Sequence, residues 1–251
     1  MIKAIIFDLD DTLYDQKSPF TAALTKTFNQ ALSSTELAQI FNRFHDFNDR
    51  TFNQVTDTTM TLEAWQTARI RHALAPSKVH ISTDRAIQFE MAYQQELNQI
   101  CLFDGLSATL TKLSHAFKIG IITNGPAPIQ HQKLHQLQIE HFVHPDNIFI
   151  SEELGIAKPD PSIFTTWAHQ VGIKANEAVY VGDNAALDMT SAKHAGWQTF
   201  WFNHRRNDQV TPSVIPDQII QSPAELNELL LALLQAASAS SRQRFIDAYW
   251  R

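Results

Sequence analysis

Asp8 and Asp10 stand two positions apart directly after the apolar run Ala4-Ile5-Ile6-Phe7. In an extended backbone that spacing points both side chains the same way. Two carboxylates so close repel each other unless a cation or a proton intervenes. Taken alone, the pair reads equally as an acidic turn, because Asp is a common turn residue. Three other stretches carry groups of complementary type. Ile119-Gly120-Ile121-Ile122 leads into Thr123-Asn124-Gly125, a hydroxyl with backbone N–H groups beside it. Ala178-Val179-Tyr180-Val181 leads into Gly182-Asp183, and Asp188 follows five residues after Asp183. Lys158 sits in Ala157-Lys158-Pro159-Asp160-Pro161, where the prolines restrict the backbone. Each has an ordinary structural explanation: Thr123 as a helix N-cap, Lys158 as a solvated lysine, Asp183 and Asp188 as a loop acid and a helix cap. Their joint occurrence in this order, at the ends of apolar runs, points to a shared site.

The elements that must position these groups are legible in the same runs. Ala4–Phe7, Ile119–Ile122, Asn147–Ile150 and Ala178–Val181 are short, apolar and rich in β-branched residues, as strands buried on both faces are. Gln198–Phe202 is a weaker fifth strand. Helical patterns lie between them. Leu106, Leu110 and Leu113 share a face; Pro126 and Pro128 open a helix continued by Leu134 and Leu137; Pro161 opens another through Ile163, Phe164, Trp167 and Ala168. Asp188 to Ala195 reads as a fourth, with Gly196 as its stop. Strands alternating with helices make βαβ units and a parallel sheet, which binds ligands outside the carboxyl ends of its strands. The candidate residues fall at those ends. Residues 16 to 100 break the alternation and carry helical spacings only, including Phe41, Phe44 and Phe47, a stripe that reads as packing core. The expected division is therefore a core from 1–15 and 101–236, an inserted helical unit over 16–100, and a low-complexity tail over 237–251.

Composition removes several classes of function. The chain has 251 residues, 44% of them hydrophobic and 18% charged, so it can bury a core. A net charge of -6 gives no basic face for nucleic acid. The single cysteine, Cys101, excludes an internal disulfide and a Cys-cluster zinc site. No apolar run approaches the roughly 20 residues of a spanning helix, and the N-terminal run meets Asp8 too soon for a secretory signal. The expectation is a cytoplasmic globular protein with no membrane partner.

With these motifs the sequence resembles the haloacid dehalogenase-like hydrolase superfamily, specifically its phosphatase-type members with a helical cap inserted after the first motif. The resemblance spans about Lys3 to Leu234. It implies an α/β fold: a Rossmann-like parallel sheet flanked by helices, with an all-helical cap domain. It implies Asp8 as nucleophile through an aspartyl-phosphate, Asp10 as general acid and base, Thr123 and the Asn124 amide as holders of a phosphoryl oxygen, and Lys158 as the balancing charge. It implies Mg²⁺ held by Asp8, the backbone carbonyl of Asp10 and Asp183, with Asp188 in support. The substrate implied is a small phosphorylated metabolite, a sugar phosphate or a nucleoside monophosphate. The dehalogenases lack the second aspartate of the first motif, so Asp10 disfavours carbon–halogen cleavage. The alternatives are a mutase on the same core and a binding protein that kept the fold without turnover. Asp11 stands where many relatives have Gly.

Charge balance agrees with a metal. Four carboxylates and one lysine leave the cluster anionic, which repels a phosphate ester until a divalent cation enters. Mg²⁺ suits carboxylate, carbonyl and water oxygens.

Weaker signals read as structural. His131 and His135 have metal-ligand spacing but no third partner. His204-Arg205-Arg206 reads as a solvated loop. Arg43, Arg50, Arg69 and Arg71 could meet a substrate anion but read as surface arginines. Tyr249 and Trp250 could form a dimer contact, or belong to an unstructured end.

Overall fold

The computed structural model describes residues 1–29, 32–77, 81–206 and 213–249, with side chains left out at 53, 56 and 240–249. Trp250 and the proposed contact there lie outside the described residues. In chain order the elements are β1 (Ala4–Phe7), α1 (Lys17–Phe28), α2 (Ser34–Thr51), α3 (Asn53–Thr56), α4 (Leu62–Leu74), α5 (Thr83–Leu97), α6 (Leu106–Ser114) and β2 (Lys118–Thr123). There follow α7 (Ala127–Gln136), β3 (Ile148–Ile150), α8 (Ser151–Leu154), α9 (Ser162–Val171), β4 (Ala178–Gly182), α10 (Thr190–His194), β5 (Gln198–Phe202), β6 (Gln218–Ile220) and α11 (Pro223–Tyr249). The chain divides into two compact units. One comprises Met1–Tyr14 and Cys101–Arg251, the other Asp15–Ile100.

The first unit is a six-stranded parallel sheet in the order β3-β2-β1-β4-β5-β6, flanked by helices. The fold is the α/β parallel-sheet class expected. β1 lies between β2 and β4, and the register decides what meets at their ends. Phe7 is level with Ile121 of β2 and Val181 of β4. Asp8 and Gly182 are thus one residue past that line, and Thr123 and Asp183 two past it. Three strands deliver their polar residues to one place because their apolar stretches end in step.

Strand alternation sends Ala4, Ile6, Ile122 and Tyr180 into one core layer, filled by α9 and by Trp197 and Trp201. Phe164 meets Tyr180 and Trp197 edge-on at 4.8 and 5.1 Å, and Trp167 meets Trp197 at 5.8 Å. Trp167 also donates its ring N–H to the Asn147 carbonyl at 2.9 Å. The glycine in β2 makes this possible. A Cβ on Gly120 would lie 2.3 Å from the Trp167 ring. α6 runs beside β2, and α11 packs on α6, with Leu226 and Leu230 buried and the Thr109 hydroxyl donating to Asn227 Oδ1 at 2.6 Å.

The helical unit carries no strand among its described residues. Phe41 and Phe44 of the stripe are buried around Phe20 and Phe89, while Phe47 is half-buried. All four arginines considered there have partners within the unit. Arg43 donates to the Ala73 carbonyl, Arg50 pairs with Asp46, Arg71 donates to Thr83, and Arg69 is buried against Glu90, Phe44, Trp65 and Tyr93.

Three features differ from the sequence reading. The last helix runs without a break from Pro223 to Tyr249, so 237–249 continue it and form no separate tail. β6 adds a sixth strand of only three residues, too short for a pattern to mark. The helix expected from Asp188 begins earlier, as a π-helical turn over Ala185–Met189, before α10. Asn184 caps it, accepting from the N–H groups of Ala186 and Leu187 at 3.0 Å each. No described helix is long and apolar enough to cross a membrane.

Gly120→Ala should force Trp167 off the sheet and lower stability by about 1–3 kcal/mol, the usual cost of overpacking. Thermal unfolding measures this, and an unchanged midpoint would contradict the packing described.

Candidate active site

Asp8 follows β1 and donates its backbone N–H to the Val181 carbonyl at 2.9 Å, which ties the first strand end to the fourth. Its carboxylate meets Lys158, whose ammonium lies 2.6 Å from Asp8 Oδ1, 2.6 Å from Asp188 Oδ1 and 3.0 Å from the Tyr180 hydroxyl. All four groups are buried. Lys158 is brought there by its backbone. Its N–H donates to Asn124 Oδ1 at 2.9 Å, and its carbonyl accepts from Asn124 Nδ2 at 2.8 Å. The Asn124 side chain thus pins the lysine segment to the end of β2.

Asp188 reaches in from the π-helical turn, and its Oδ2 accepts the Asn184 N–H at 2.9 Å. Gly182 makes room for it: a Cβ there would lie 2.3 Å from Asp188 Oδ2. Asp183 is half-buried, and its carbonyl accepts from the Trp201 ring N–H at 2.8 Å. One carboxylate oxygen each from Asp8, Asp183 and Asp188 lie within 4.8 Å of one another, a spacing that could hold a metal ion.

Asp10 is served by a different cation. Lys133 of α7 donates to both its oxygens, at 2.7 and 2.8 Å. Gln130 Nε2 donates to Oδ2 at 3.0 Å, and the Tyr14 hydroxyl to Oδ1. Repulsion between Asp8 and Asp10 is therefore met by one lysine for each. Thr123, at the end of β2, is buried with its hydroxyl 2.6 Å from Gln130 Nε2. The start of α7 is held by its neighbours: Ser151 accepts from the Gly125 N–H at 3.1 Å, and Glu152 from the Ala127 N–H at 2.7 Å. An acid at a helix N-terminus also suits the helix dipole.

The electrostatics follow from burial and these partners. Burial pushes the Asp8 carboxyl up to about 7; Lys158 opposes this, and Asp188 and Asp10 add to it. Burial would also raise Asp10, but the Lys133 charge and hydrogen bond, with those of Tyr14 and Gln130, bring it below the usual carboxylate range. Lys158 is held well above the ordinary lysine value, because Asp188 and Asp8 outweigh its burial.

Sequence reasoning missed Gln130 and Lys133. They sit three apart on α7, a spacing that shares a helix face, but polar residues on a helix otherwise read as solvated. It also misread His204-Arg205. Arg205 grips both oxygens of Asp11, and His204 approaches the Asp11 carbonyl at 3.1 Å while stacking on Phe202. Asp11 has φ 57, the left-handed region where glycine is at ease. In this chain a buried ion pair holds an aspartate there. His131 and His135 do not converge on a metal; they approach different acids, Glu153 and Glu140.

A parallel sheet with acids, a hydroxyl and a lysine gathered at its strand ends defines the class. A family described as haloacid dehalogenase-like hydrolase matches residues 5–202, and the chain belongs to that family. A glyceraldehyde 3-phosphate phosphatase from Methanopyrus kandleri is 29% identical over 249 residues, 93% of this chain and 99% of that protein. A pyrimidine 5'-nucleotidase from Escherichia coli is 27% identical, over 90% of this chain and 96% of that one. Among solved structures, a HAD-hydrolase from Bacillus subtilis bound to magnesium matches with a TM-score of 0.69 at 24% identity, over 91% of this chain and 98% of that one.

Arg205→Leu should cost roughly 3 kcal/mol, because it takes the permanent cation away from the buried Asp11 carboxylate. Arg205→Leu with Asp11→Gly should recover most of that loss, since no charge is stranded and glycine tolerates the backbone. Burial would raise the Asp11 carboxyl, but hydrogen bonds from His204 and Arg205 hold it well below its ordinary value. Its stability contribution is therefore present above the unfolded value, about 4, and is lost as pH falls below that. Denaturant unfolding across pH 3–7 checks both points; equal stability of the single and double variants would contradict them.

Proposed function

We propose that this chain is a Mg²⁺-dependent phosphatase that hydrolyses small phosphate monoesters through an aspartyl-phosphate on Asp8. The observation that carries the reading is the Asp8–Lys158–Asp188 cluster beside Thr123, one buried carboxylate aimed out of a strand end with a cation against it. Relatives named as phosphatases of glyceraldehyde 3-phosphate, of pyrimidine nucleotides and of N-acylneuraminate 9-phosphate support a phosphorylated metabolite as substrate.

The donor set fits Mg²⁺. Asp8, Asp183 and Asp188 supply hard oxygens in one cluster, and the Asp10 backbone carbonyl is the fourth proposed ligand. The raised Asp8 carboxyl points the same way, since a nucleophile must be ionised and a nearby cation favours the ionised form. Bound there, the metal supplies positive charge against the phosphoryl oxygens and the carboxylates.

The protein's own groups carry the steps. Asp8 attacks phosphorus, forming an acyl phosphate as the ester oxygen departs. Asp10, once it carries a proton, gives it to the departing oxygen, and in the ionised form that Lys133 favours it takes a proton from the water that attacks the acyl phosphate. Thr123 and the Asn124 backbone N–H hold phosphoryl oxygens, and Lys158 balances their charge without reorganising. The second half-reaction returns Asp8 and releases phosphate.

Phosphate release from a panel of sugar phosphates, nucleoside monophosphates and an aryl phosphate tests the reading. Turnover should require Mg²⁺, stop with chelator, and fall by at least ~10³-fold in Asp8→Asn, since no nucleophile remains. Turnover that survives in Asp8→Asn would refute the mechanism.

A further inference from the structure

Gln130 and Lys133 occupy consecutive turns of one face of α7, and both are enclosed, at 1% and 5% exposure. A buried ammonium is costly unless fully paired. Lys133 is so paired, with both oxygens of Asp10 and with Gln130 Oε1 at 2.7 Å.

The last contact settles which way the Gln130 amide faces. An ammonium only donates, so the atom it meets is the carbonyl oxygen. The amide nitrogen must then face Asp10 Oδ2 at 3.0 Å, Thr123 Oγ1 at 2.6 Å and the Asn124 carbonyl at 3.2 Å. An amide nitrogen has no acceptor to offer, so the Thr123 oxygen accepts at that contact. Its hydroxyl proton is left to be donated. A phosphoryl oxygen only accepts, so a hydroxyl that holds one must donate. Lys133 thus sets the polarity of Gln130, and Gln130 sets that of Thr123.

We propose that Gln130 and Lys133 are positioning residues of the phosphoryl transfer, presenting the Thr123 hydroxyl as a donor to the phosphoryl group. The inference rests on the phosphatase reading above. Both residues act through Thr123, which makes the hydrogen bond to the phosphoryl group.

Two readouts separate this role from a structural one. Lys133→Met, which releases the Gln130 amide, should weaken competitive inhibition by inorganic phosphate about 3-fold, with Lys133→Arg recovering part of the loss. Gln130→Leu should weaken competitive inhibition by inorganic phosphate roughly 5-fold, about one neutral hydrogen bond, and should add nothing to Thr123→Val.

Gln130→Met, close in volume, removes the donors without leaving a large cavity and adds no charge. It should match Gln130→Leu in both respects, and it keeps the test decisive where Lys133→Met does not fold. Phosphate inhibition unchanged by Gln130→Leu, or losses that add when Gln130→Leu is combined with Thr123→Val, would overturn the proposal. Loss of turnover in Asp8→Asn confirms that the parent reading stands while these variants are compared; a wild-type protein that releases no phosphate would instead sink the parent reading.

Discussion

Lys158 places its ammonium 2.6 Å from a carboxylate oxygen of Asp8 and 2.6 Å from one of Asp188, with all three groups out of solvent. Removing Lys158 would leave two carboxylates buried without their cation, a far larger penalty than losing a surface pair. That requirement reaches into the fold. β1 and β4 must end level for Asp8 and Asp188 to meet. Gly182 must lack a side chain for Asp188 to approach. The segment after β3 must return to the end of β2, where Asn124 grips the backbone of Lys158 on both sides. The site and the central strands are thus parts of one constraint.

The neighbouring residues answer to separate constraints. Asp10 turns to α7 and its lysine, and Asp11 turns to the segment after β5 and its arginine. Three acidic positions of one loop, 8, 10 and 11, are thereby anchored to three separate parts of the chain: the segment after β3, helix α7 and the segment after β5. A loop so held has little freedom left to lose when a substrate arrives, which is what electrostatic preorganisation requires.

Much of this was legible in the sequence. The apolar runs gave the strands, because both-face burial demands unbroken apolar stretches. Their ends pointed to Asp8, Thr123 and Asp183, since parallel order puts those ends together. What lay hidden depends on contacts between elements distant in sequence. Gln130 and Lys133 look like any polar face of a helix until α7 is laid against Asp10, more than a hundred residues away. Arg205 looked like a loop cation because nothing local reveals that Asp11 has φ 57 and is buried. The π-helical turn was missed because its signal, a polar cap at Asn184, resembles that of an ordinary helix start. β6 is three residues long, and two of them face out.

The central claim is that Asp8 takes the phosphoryl group onto its own carboxylate. The direct measurement is mass analysis of peptides from protein quenched in acid during steady turnover of a good substrate with Mg²⁺. The account predicts one added phosphoryl group on the peptide that contains Asp8, absent from Asp8→Asn and lost when substrate is diluted before quenching. Steady release of phosphate with that peptide unmodified, or a phosphoryl group on another residue that turns over at the catalytic rate, would contradict it.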